Sequence, residues 1–229
     1  MKVKLISYSQ LDNAFRLENE FDENSEHLQE IIAYCARVSN PSNQNNTKTS
    51  ERLLTYLAKN KHWSPFEMVS ACLEIETTRD IARQILRHRS FSFQEFSQRY
   101  AEQSDYTNFR ATRLQDKKNR QNSIETDDVD LQMEWLKRQA EVSVAVKGSY
   151  EWALENGIAK EQARAVLPEG LTLSRLYVNG TLRSWMHYIE LRSGNGTQKE
   201  HREVAIACAE QLKKVFPIIE RFIDYEDNK

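Results

Sequence analysis

The sequence predicts an α+β protein, and three observations support this. Apolar and polar residues alternate in some runs, as in half-buried strands, and apolar residues recur every three or four positions in others, as in amphipathic helices. The 229 residues are 39% hydrophobic, which is enough to build a core. The chain contains no internal repeat and no long Pro/Gly/Ser linker, so we expect one domain over residues 1–229.

The first third of the chain predicts two strands and two helices. Alternation indicates the strands, and apolar residues on one side indicate the helices. These segments are residues 1–8 (strand), 26–38 (helix), 53–58 (helix) and 68–75 (strand). The polar run Asn40–Asn46 ends the first helix as a loop.

A third helix is expected to begin near Thr77. Thr77 and Asp80 have the spacing of a capping box, and an apolar stripe follows as far as about His88. Such a helix places Gln84, Arg87 and His88 on one face, because residues three and four apart are neighbours on a helix.

The second half of the chain is mainly helical. Residues 103–126 are polar and weakly patterned, so we expect a long loop of the kind that is often functional. Asp127 or Asp128 caps a long helix over 129–155. The remaining segments are a short helix ending before Pro168, a strand over 171–178, a helix closed by Gly194–Gly196 and a last helix over 204–222.

Positive charge is concentrated in one segment. The net charge is −2, yet residues 79–120 hold ten Lys/Arg against five acids and so carry +5, which leaves −7 for the rest. A local basic cluster in an acidic protein indicates an anionic ligand bound at one place. The six glycines form no phosphate-binding loop motif, so side chains must hold any phosphate.

Within this segment, residues 87–100 alternate arginines and hydroxyls with aromatic rings. Guanidinium groups bind phosphate through paired hydrogen bonds, and the rings suit a planar ligand. On composition alone, an exposed loop whose arginines pair with nearby acids remains the alternative.

Cysteine and histidine usage excludes two classes of site. Cys35, Cys72 and Cys208 are far apart and odd in number, so we expect neither disulfides nor a cysteine zinc site but buried, inert thiols. No histidine pair has metal-ligand spacing, so no metal is expected.

With no long apolar span and no signal peptide, a soluble cytoplasmic protein is expected. The four tryptophans are interpreted as core residues, and His201 as a structural residue.

The motif in residues 87–99 resembles the signature of flavin-dependent thymidylate synthases, R-H-R-x-x-S-x-N-x-x-S-x-R. The matching residues are Arg87, His88, Arg89, Ser92, Gln94, Ser97 and Arg99. Gln94 replaces the usual Asn and keeps the same donors and acceptors. Further blocks resemble the family in the family's order: Ala36–Ser39, His62–Glu67, Arg164–Pro168, Gly180–Arg192 and Thr197–Arg202.

This resemblance implies a fold and an activity. The fold is a central, mostly antiparallel sheet flanked by helices. The activity is the reductive methylation of dUMP to dTMP, with methylene from 5,10-methylenetetrahydrofolate and hydride from NADPH through bound FAD. Tetrahydrofolate is released, and no enzyme cysteine acts as nucleophile. The resemblance also implies a homotetramer with active sites between subunits. We expect helix 129–155 and the last helix to bury apolar stripes against other subunits. No membrane or nucleic-acid partner is expected.

The resemblance also implies site residues. Arg192 is the catalytic candidate, a fixed cation that stabilises negative charge on the uracil ring; its alternative is a helix-end arginine that contacts the last carbonyls. Arg99 and Arg164, with Ser97, are the phosphate candidates. Positions matching dUMP ligands are Gln84, Arg87, Glu95, Phe96, Ser97, Gln98, Arg99, Arg164 and Arg192. Positions matching FAD ligands are Ser39, Ser64, Arg87, His88, Arg89, Glu95, Thr181, Leu182, Arg183 and His187.

Three alternatives stay open. His62 matches a position near flavin and folate but equally suits a histidine that ends a helix. The basic segment with its aromatic rings could instead bind single-stranded nucleic acid, which predicts salt-sensitive binding and no chromophore. A flavoprotein of the same fold without methyl transfer is the third, and the intact arginines speak against it.

Overall fold

The computed structural model describes residues 1–21, 27–103, 109–194 and 196–223. The strands in these ranges are β1 (Lys2–Tyr8), β2 (Ser70–Thr78), β3 (Ser92–Glu95), β4 (Arg113–Gln115), β5 (Ser123–Glu125) and β6 (Leu173–Thr181). The α-helices are α1 (Asn13–Glu18), α2 (His27–Ala36), α3 (Ser50–Lys59), α4 (Arg79–Ile85), α5 (Val129–Glu155), α6 (Lys160–Ala163), α7 (Leu182–Ser193) and α8 (Lys199–Lys213).

A four-stranded antiparallel sheet in the order β1-β2-β6-β3 forms the centre of the fold, which confirms the predicted class. Alternation along β2 buries Ala71, Leu73 and Ile75 on one face. The other face is polar, and Arg175 of β6 pairs there with Glu76 of β2 at 2.6 Å. The sheet is therefore covered by helices on one face only.

The main core lies between this sheet and the helices α2, α3, α7 and α8. Trp185 of α7 is fully buried and donates from Nε1 to the Ala71 carbonyl at 3.0 Å, which fixes α7 to the sheet. Of the other tryptophans, Trp135 and Trp152 on α5 are 45% and 60% exposed, so their interpretation as core residues is wrong.

Helix α4 differs from its prediction at both ends. Its N-cap is Thr78, in extended conformation, and not Thr77. It ends at Ile85, because the amides of Arg87 and His88 bond to carbonyls three residues back and tighten the chain into a turn. Gln84 is thus on the helix, while Arg87 and His88 follow it.

The polar segment 103–126, expected as a loop, contains a short hairpin of β4 and β5. Each strand has three mostly polar residues, which is too short for an alternation signal. Asp116 closes the hairpin by accepting from the amides of Lys118 and Asn119 at 2.7 and 3.1 Å.

The long helix α5 confirms its prediction. Asp128 caps it by accepting from the Leu131 amide at 3.0 Å, and Gly157 follows it with φ of 75°. The predicted last helix is wrong beyond residue 213, because Pro217 cannot continue it and a 3-10 turn spans Pro217–Phe222. Within the described ranges, no helix has the length and apolar character needed to cross a bilayer.

Candidate active site

Arg192, at the end of α7, is paired with a neutral histidine. Its Nε donates to His88 Nε2 at 3.0 Å, so that ring nitrogen carries no proton. Burial and then the charge of Arg192 lower the pKa of His88 to about 4. His88 therefore orients the guanidinium at neutral pH without neutralising it.

The turn that presents His88 is held by the Phe91 ring. Phe91 is buried and packs against Trp185 with ring centroids 4.5 Å apart. A Cβ at Gly180 of β6 would overlap the Phe91 ring and lie 3.4 Å from Ser184 Cβ. The glycine that opens the Gly180–Arg192 block thus makes room for the signature turn.

Gln84 is joined to α8 beside this pair. Its Nε2 donates to Gln198 Oε1 at 2.8 Å, and its Oε1 lies 3.1 Å from His201 Nδ1. His201 is fully buried, and its Nε2 lies 3.1 Å from the Tyr188 hydroxyl. The interpretation of His201 as making structural contacts is confirmed in the sense that it joins α4, α7 and α8.

Glu95 of β3 faces a different set of groups. It accepts from the Ser174 hydroxyl at 2.8 Å and lies 3.8 Å from Arg79 Nη1. That Nη1 is buried and has no hydrogen-bond partner among the described residues. Burial, foremost, lowers the pKa of Arg79, while Glu95 opposes the shift. An acceptor brought to this position would satisfy the unpaired donor.

Arg99 and Arg164, the phosphate candidates, meet at Glu161. Arg99 Nε lies 3.7 Å from the Glu161 carboxylate, and Arg164 Nε donates to the Glu161 carbonyl at 3.3 Å. Both groups of the Arg99–Glu161 pair are half exposed, so an anion can compete for the arginine. The Ser97 hydroxyl accepts from the Arg99 amide at 3.4 Å.

Two other candidates for dUMP lie nearby in the chain. Gln98 is buried and donates to Gln103 Oε1 at 3.1 Å. Phe96 lines an open cavity of about 360 Å³ together with Ser174 and Arg175.

The flavin candidates are divided between α7 and exposed turns. Arg183 of α7 pairs with Glu67 of the 3-10 turn Ser64–Glu67, which packs against α7. The His187 ring lies 4.6 Å from that of Trp63, while the Thr181 hydroxyl caps α7 by accepting from the Ser184 amide at 3.3 Å.

Other flavin candidates range from exposed to fully buried. The exposed ones are Ser39, Ser64, Arg87 and Arg89, and His62 is exposed as well. Leu182 lies fully in the core and its amide donates to the Val69 carbonyl, so neither its side chain nor its N–H is available to a ligand. The exposed guanidinium and hydroxyl groups suit the pyrophosphate of FAD.

Sequence reasoning missed several polar residues of this region. Tyr188 precedes Arg192 by one helical turn, so the spacing could have indicated that it lies on the same face. Gln198 lies in the Thr197–Arg202 block and Arg79 begins the basic segment, but neither has a local pattern that would indicate a site residue. Groups of three or more potential metal ligands are absent from the described part of the chain.

Comparison with known proteins gives concordant matches. A family model described as thymidylate synthase complementing protein matches residues 22–218. A probable flavin-dependent thymidylate synthase of Paramecium bursaria Chlorella virus 1 is 51% identical over 197 residues, which is 86% of this chain and 91% of the relative. A flavin-dependent thymidylate synthase of Synechocystis is 50% identical, over 85% and 89%.

A solved structure shows the same fold. It is the UMP/dUMP methylase PolB of Streptomyces cacaoi bound with 5-Br dUMP, which superimposes with a TM-score of 0.78 and 24% identity over 96% of this chain and 93% of that chain. The family model and the two half-identical relatives each cover most of the chain. The protein therefore belongs to the flavin-dependent thymidylate synthase family.

Proposed function

We propose that this single-domain protein converts dUMP to dTMP. A methylene group passes from 5,10-methylenetetrahydrofolate to the uracil ring, and two electrons from NADPH reduce it to methyl, so tetrahydrofolate leaves unoxidised. The observation that supports this most directly is the hydrogen bond of Arg192 to the neutral His88, a partner that does not cancel its charge. The Gln84 amide, held by Gln198 and His201, supports it further.

The thiols of the chain are unsuited to nucleophilic attack. Burial raises the pKa of Cys208, and also those of Cys35 and Cys72, so each is protonated at neutral pH. Cys208 is fully buried among core residues. The proposed reaction therefore activates the uracil ring electrostatically and not through a covalent bond to cysteine.

Arg192 supplies that activation. A permanent positive charge next to the uracil stabilises the negative charge that develops there as the ring reacts. Because His88 is neutral, the charge of Arg192 is not cancelled by this partner. Arg99 and Arg164, with the Ser97 hydroxyl, hold the phosphate, since the chain has no glycine-rich phosphate loop.

FAD, when bound, carries the two electrons from NADPH to the methylene carbon. Arg87, Arg89 and Arg183 would hold its pyrophosphate, and His187 with Trp63 would contact its rings. The donor set fits, because it combines permanent cations with the hydroxyls of the other candidates. His62 would contact flavin or folate.

The described ion pairs weaken the nucleic-acid alternative. Several arginines of the basic segment are already paired with acids, including Arg83 with Glu169 and Arg110 with Asp80. A polyanion would have to displace these acids. The segment is therefore better suited to a small anion at a few positions than to a long one.

The test is the visible spectrum of the purified protein, followed anaerobically as NADPH is added with and without dUMP. We expect flavin bands that bleach, especially with dUMP, and dTMP on addition of 5,10-methylenetetrahydrofolate. A protein that stays colourless after incubation with FAD and consumes no NADPH would contradict the proposal.

A further inference from the structure

A chain of hydrogen bonds links α8, α4 and α7. Gln198 Nε2 donates to Glu200 Oε2 at 2.9 Å, and Gln84 Nε2 donates to Gln198 Oε1 at 2.8 Å. His201 Nδ1 lies 3.1 Å from Gln84 Oε1, and its Nε2 lies 3.1 Å from the Tyr188 hydroxyl. We call this the Tyr188–Glu200 chain. It connects a candidate dUMP ligand to the core.

The Glu200 carboxylate sets the donor-to-acceptor direction of every hydrogen bond in the Tyr188–Glu200 chain. Burial raises the pKa of Glu200, but its hydrogen bonds and two arginines outweigh burial and lower it, so Glu200 is ionised and only accepts. Gln198 must then turn its nitrogen to Glu200 and its oxygen to Gln84. Gln84 in turn presents its oxygen to His201, so His201 carries its proton on Nδ1 and accepts from Tyr188 at Nε2.

The β4–β5 hairpin holds the carboxylate end. Arg113 Nη2 lies 2.6 Å from Glu200 Oε1, and Arg110 Nη1 lies 3.6 Å from Oε2. Arg110 is itself fixed, because Asp80 lies 2.7 Å from its Nη2 and Gln139 bonds to its backbone. Arg110, Arg113 and Glu125, which pairs with Lys199, thus connect this part of the chain to the start of α8.

We propose that His201 is a positioning residue for dUMP binding, whose Nδ1–H fixes the Gln84 amide in one of its two orientations, with Arg113 anchoring the chain through Glu200. This rests on the proposed function, in which Gln84 contacts dUMP. A free amide can rotate by half a turn and exchange donor for acceptor. Held at both atoms, Gln84 keeps one N–H and one oxygen lone pair for the substrate, without having to be ordered on binding.

Two substitutions of His201 separate positioning from packing. Asn places an amide nitrogen near the position of Nδ1 and can still donate to Gln84, whereas Gln reaches the position of Nε2 and can contact only Tyr188. By calorimetry on FAD-loaded protein, we expect His201→Gln to raise the dUMP Kd about tenfold and His201→Asn to stay within about twofold. FAD affinity should be unchanged in both, and in turnover the KM for dUMP should rise more than kcat falls.

Further variants secure the result if His201→Gln does not fold. Gln198→Leu should raise the dUMP Kd as His201→Gln does. Gln211→Leu, the same change within α8, should not. Arg113→Ala should raise it about threefold, against no change in Arg138→Ala on α5. Nitrogen NMR of wild-type protein should show His201 protonated on Nδ1 and not on Nε2.

Three results would overturn the inference: an unchanged dUMP Kd in His201→Gln, an equal loss in both His201 variants, or a proton on Nε2. If wild-type protein binds FAD but not dUMP, the proposed function itself fails and this inference with it.

Discussion

At the scale of the residue, the partner of each arginine indicates its role. Arg110 and Arg113 bond to Asp80 and Glu200, so much of their charge is compensated. Arg192 instead donates to His88, which is neutral at neutral pH. An arginine fixed by a neutral partner keeps its full charge for the substrate, which is the requirement for stabilising an anionic transition state.

We therefore expect Arg192→Ala to keep FAD bound and to lose about 10²- to 10³-fold in the rate of dTMP formation, the usual effect of removing a group that stabilises developing charge. Flavin absorbance of the purified variant and single-turnover dTMP formation are the measurements. His27→Ala, far from this cluster in the sequence, serves as the control. Normal turnover in Arg192→Ala would remove Arg192 from the mechanism.

Arg99→Ala tests the phosphate site. Its ion pair with Glu161 is half exposed and stabilises the fold little, so the variant should fold normally. Loss of a charge-assisted contact should weaken dUMP binding by ~1.5–3 kcal/mol. Calorimetry should show this loss of binding free energy for dUMP and almost no loss for deoxyuridine, which lacks the phosphate. Equal loss for both ligands would argue against a phosphate contact.

His201 should make stability depend on pH. Burial and then the charges of Arg192 and His88 lower its pKa to about 3, against 6.5 when exposed. Between these values the unfolded chain binds a proton that the folded chain does not, so stability rises with pH by up to about 1.4 kcal/mol per pH unit and is lost as pH falls below 6.5. Urea unfolding between pH 4.5 and 7 should give a shallower slope for His201→Asn. Parallel slopes would contradict the assignment.

At the scale of the element, periodicity could predict which segments pack one face against the core. It could not predict where tertiary contacts end a helix or a strand. The strands β1, β2 and β6 and the long helix α5 were foreseeable because each has a sustained pattern. The end of α4 was not, since it depends on the turn that places Phe91 against Trp185. The hairpin β4–β5 was missed because it lacks an apolar face.

The same limit applies to the candidate site. The family resemblance indicated Arg192 and His88, yet their hydrogen bond joins residues 104 positions apart in the chain. Gln198, Tyr188 and Arg79 have no local pattern of their own, because tertiary contacts give them their partners. Leu182 shows the converse, since a position that matches a flavin ligand by resemblance holds a residue of the core.

Gly180→Ala tests whether the Phe91 ring needs the space that Gly180 of β6 leaves. In Gly180→Ala the new methyl would overlap the Phe91 ring, and overpacking of this kind costs about 1–3 kcal/mol. The matched control is Gly170→Ala in the turn before β6, where nothing lies within 4 Å and the change should stabilise by roughly 0.4–1 kcal/mol. Urea unfolding measures both. Equal stability of Gly180→Ala and wild type would mean that Phe91 does not need this space.

At the scale of the whole molecule, the apolar surfaces of α8 and α5 differ in burial. The stripe of α8, with Val204, Cys208 and Leu212, is buried in the chain's own core, so the expectation that this stripe packs against another subunit is wrong. Helix α5 buries few of its residues, and Trp135 and Trp152 are largely exposed on it. Large apolar side chains that cluster on a surface usually mark a contact with another protein.

We therefore expect α5 to be the surface through which copies assemble, and Trp152→Glu to break that assembly. Trp152 lines an apolar groove of about 580 Å³ with Ile158 and Val166, and a carboxylate buried there would cost several kcal/mol. Sedimentation should show a four-copy wild type and a smaller variant.

Since the family resemblance implies active sites between subunits, the dissociated Trp152→Glu variant is also expected to lose dTMP formation while keeping its helical circular dichroism. Lys147→Gln is the control, since it lies on the same helix about 140° around the axis and its pair with Glu151 is exposed. A Trp152→Glu variant that stays assembled would show that α5 is not the interface. A variant that dissociates but keeps full activity would show that one copy suffices for catalysis.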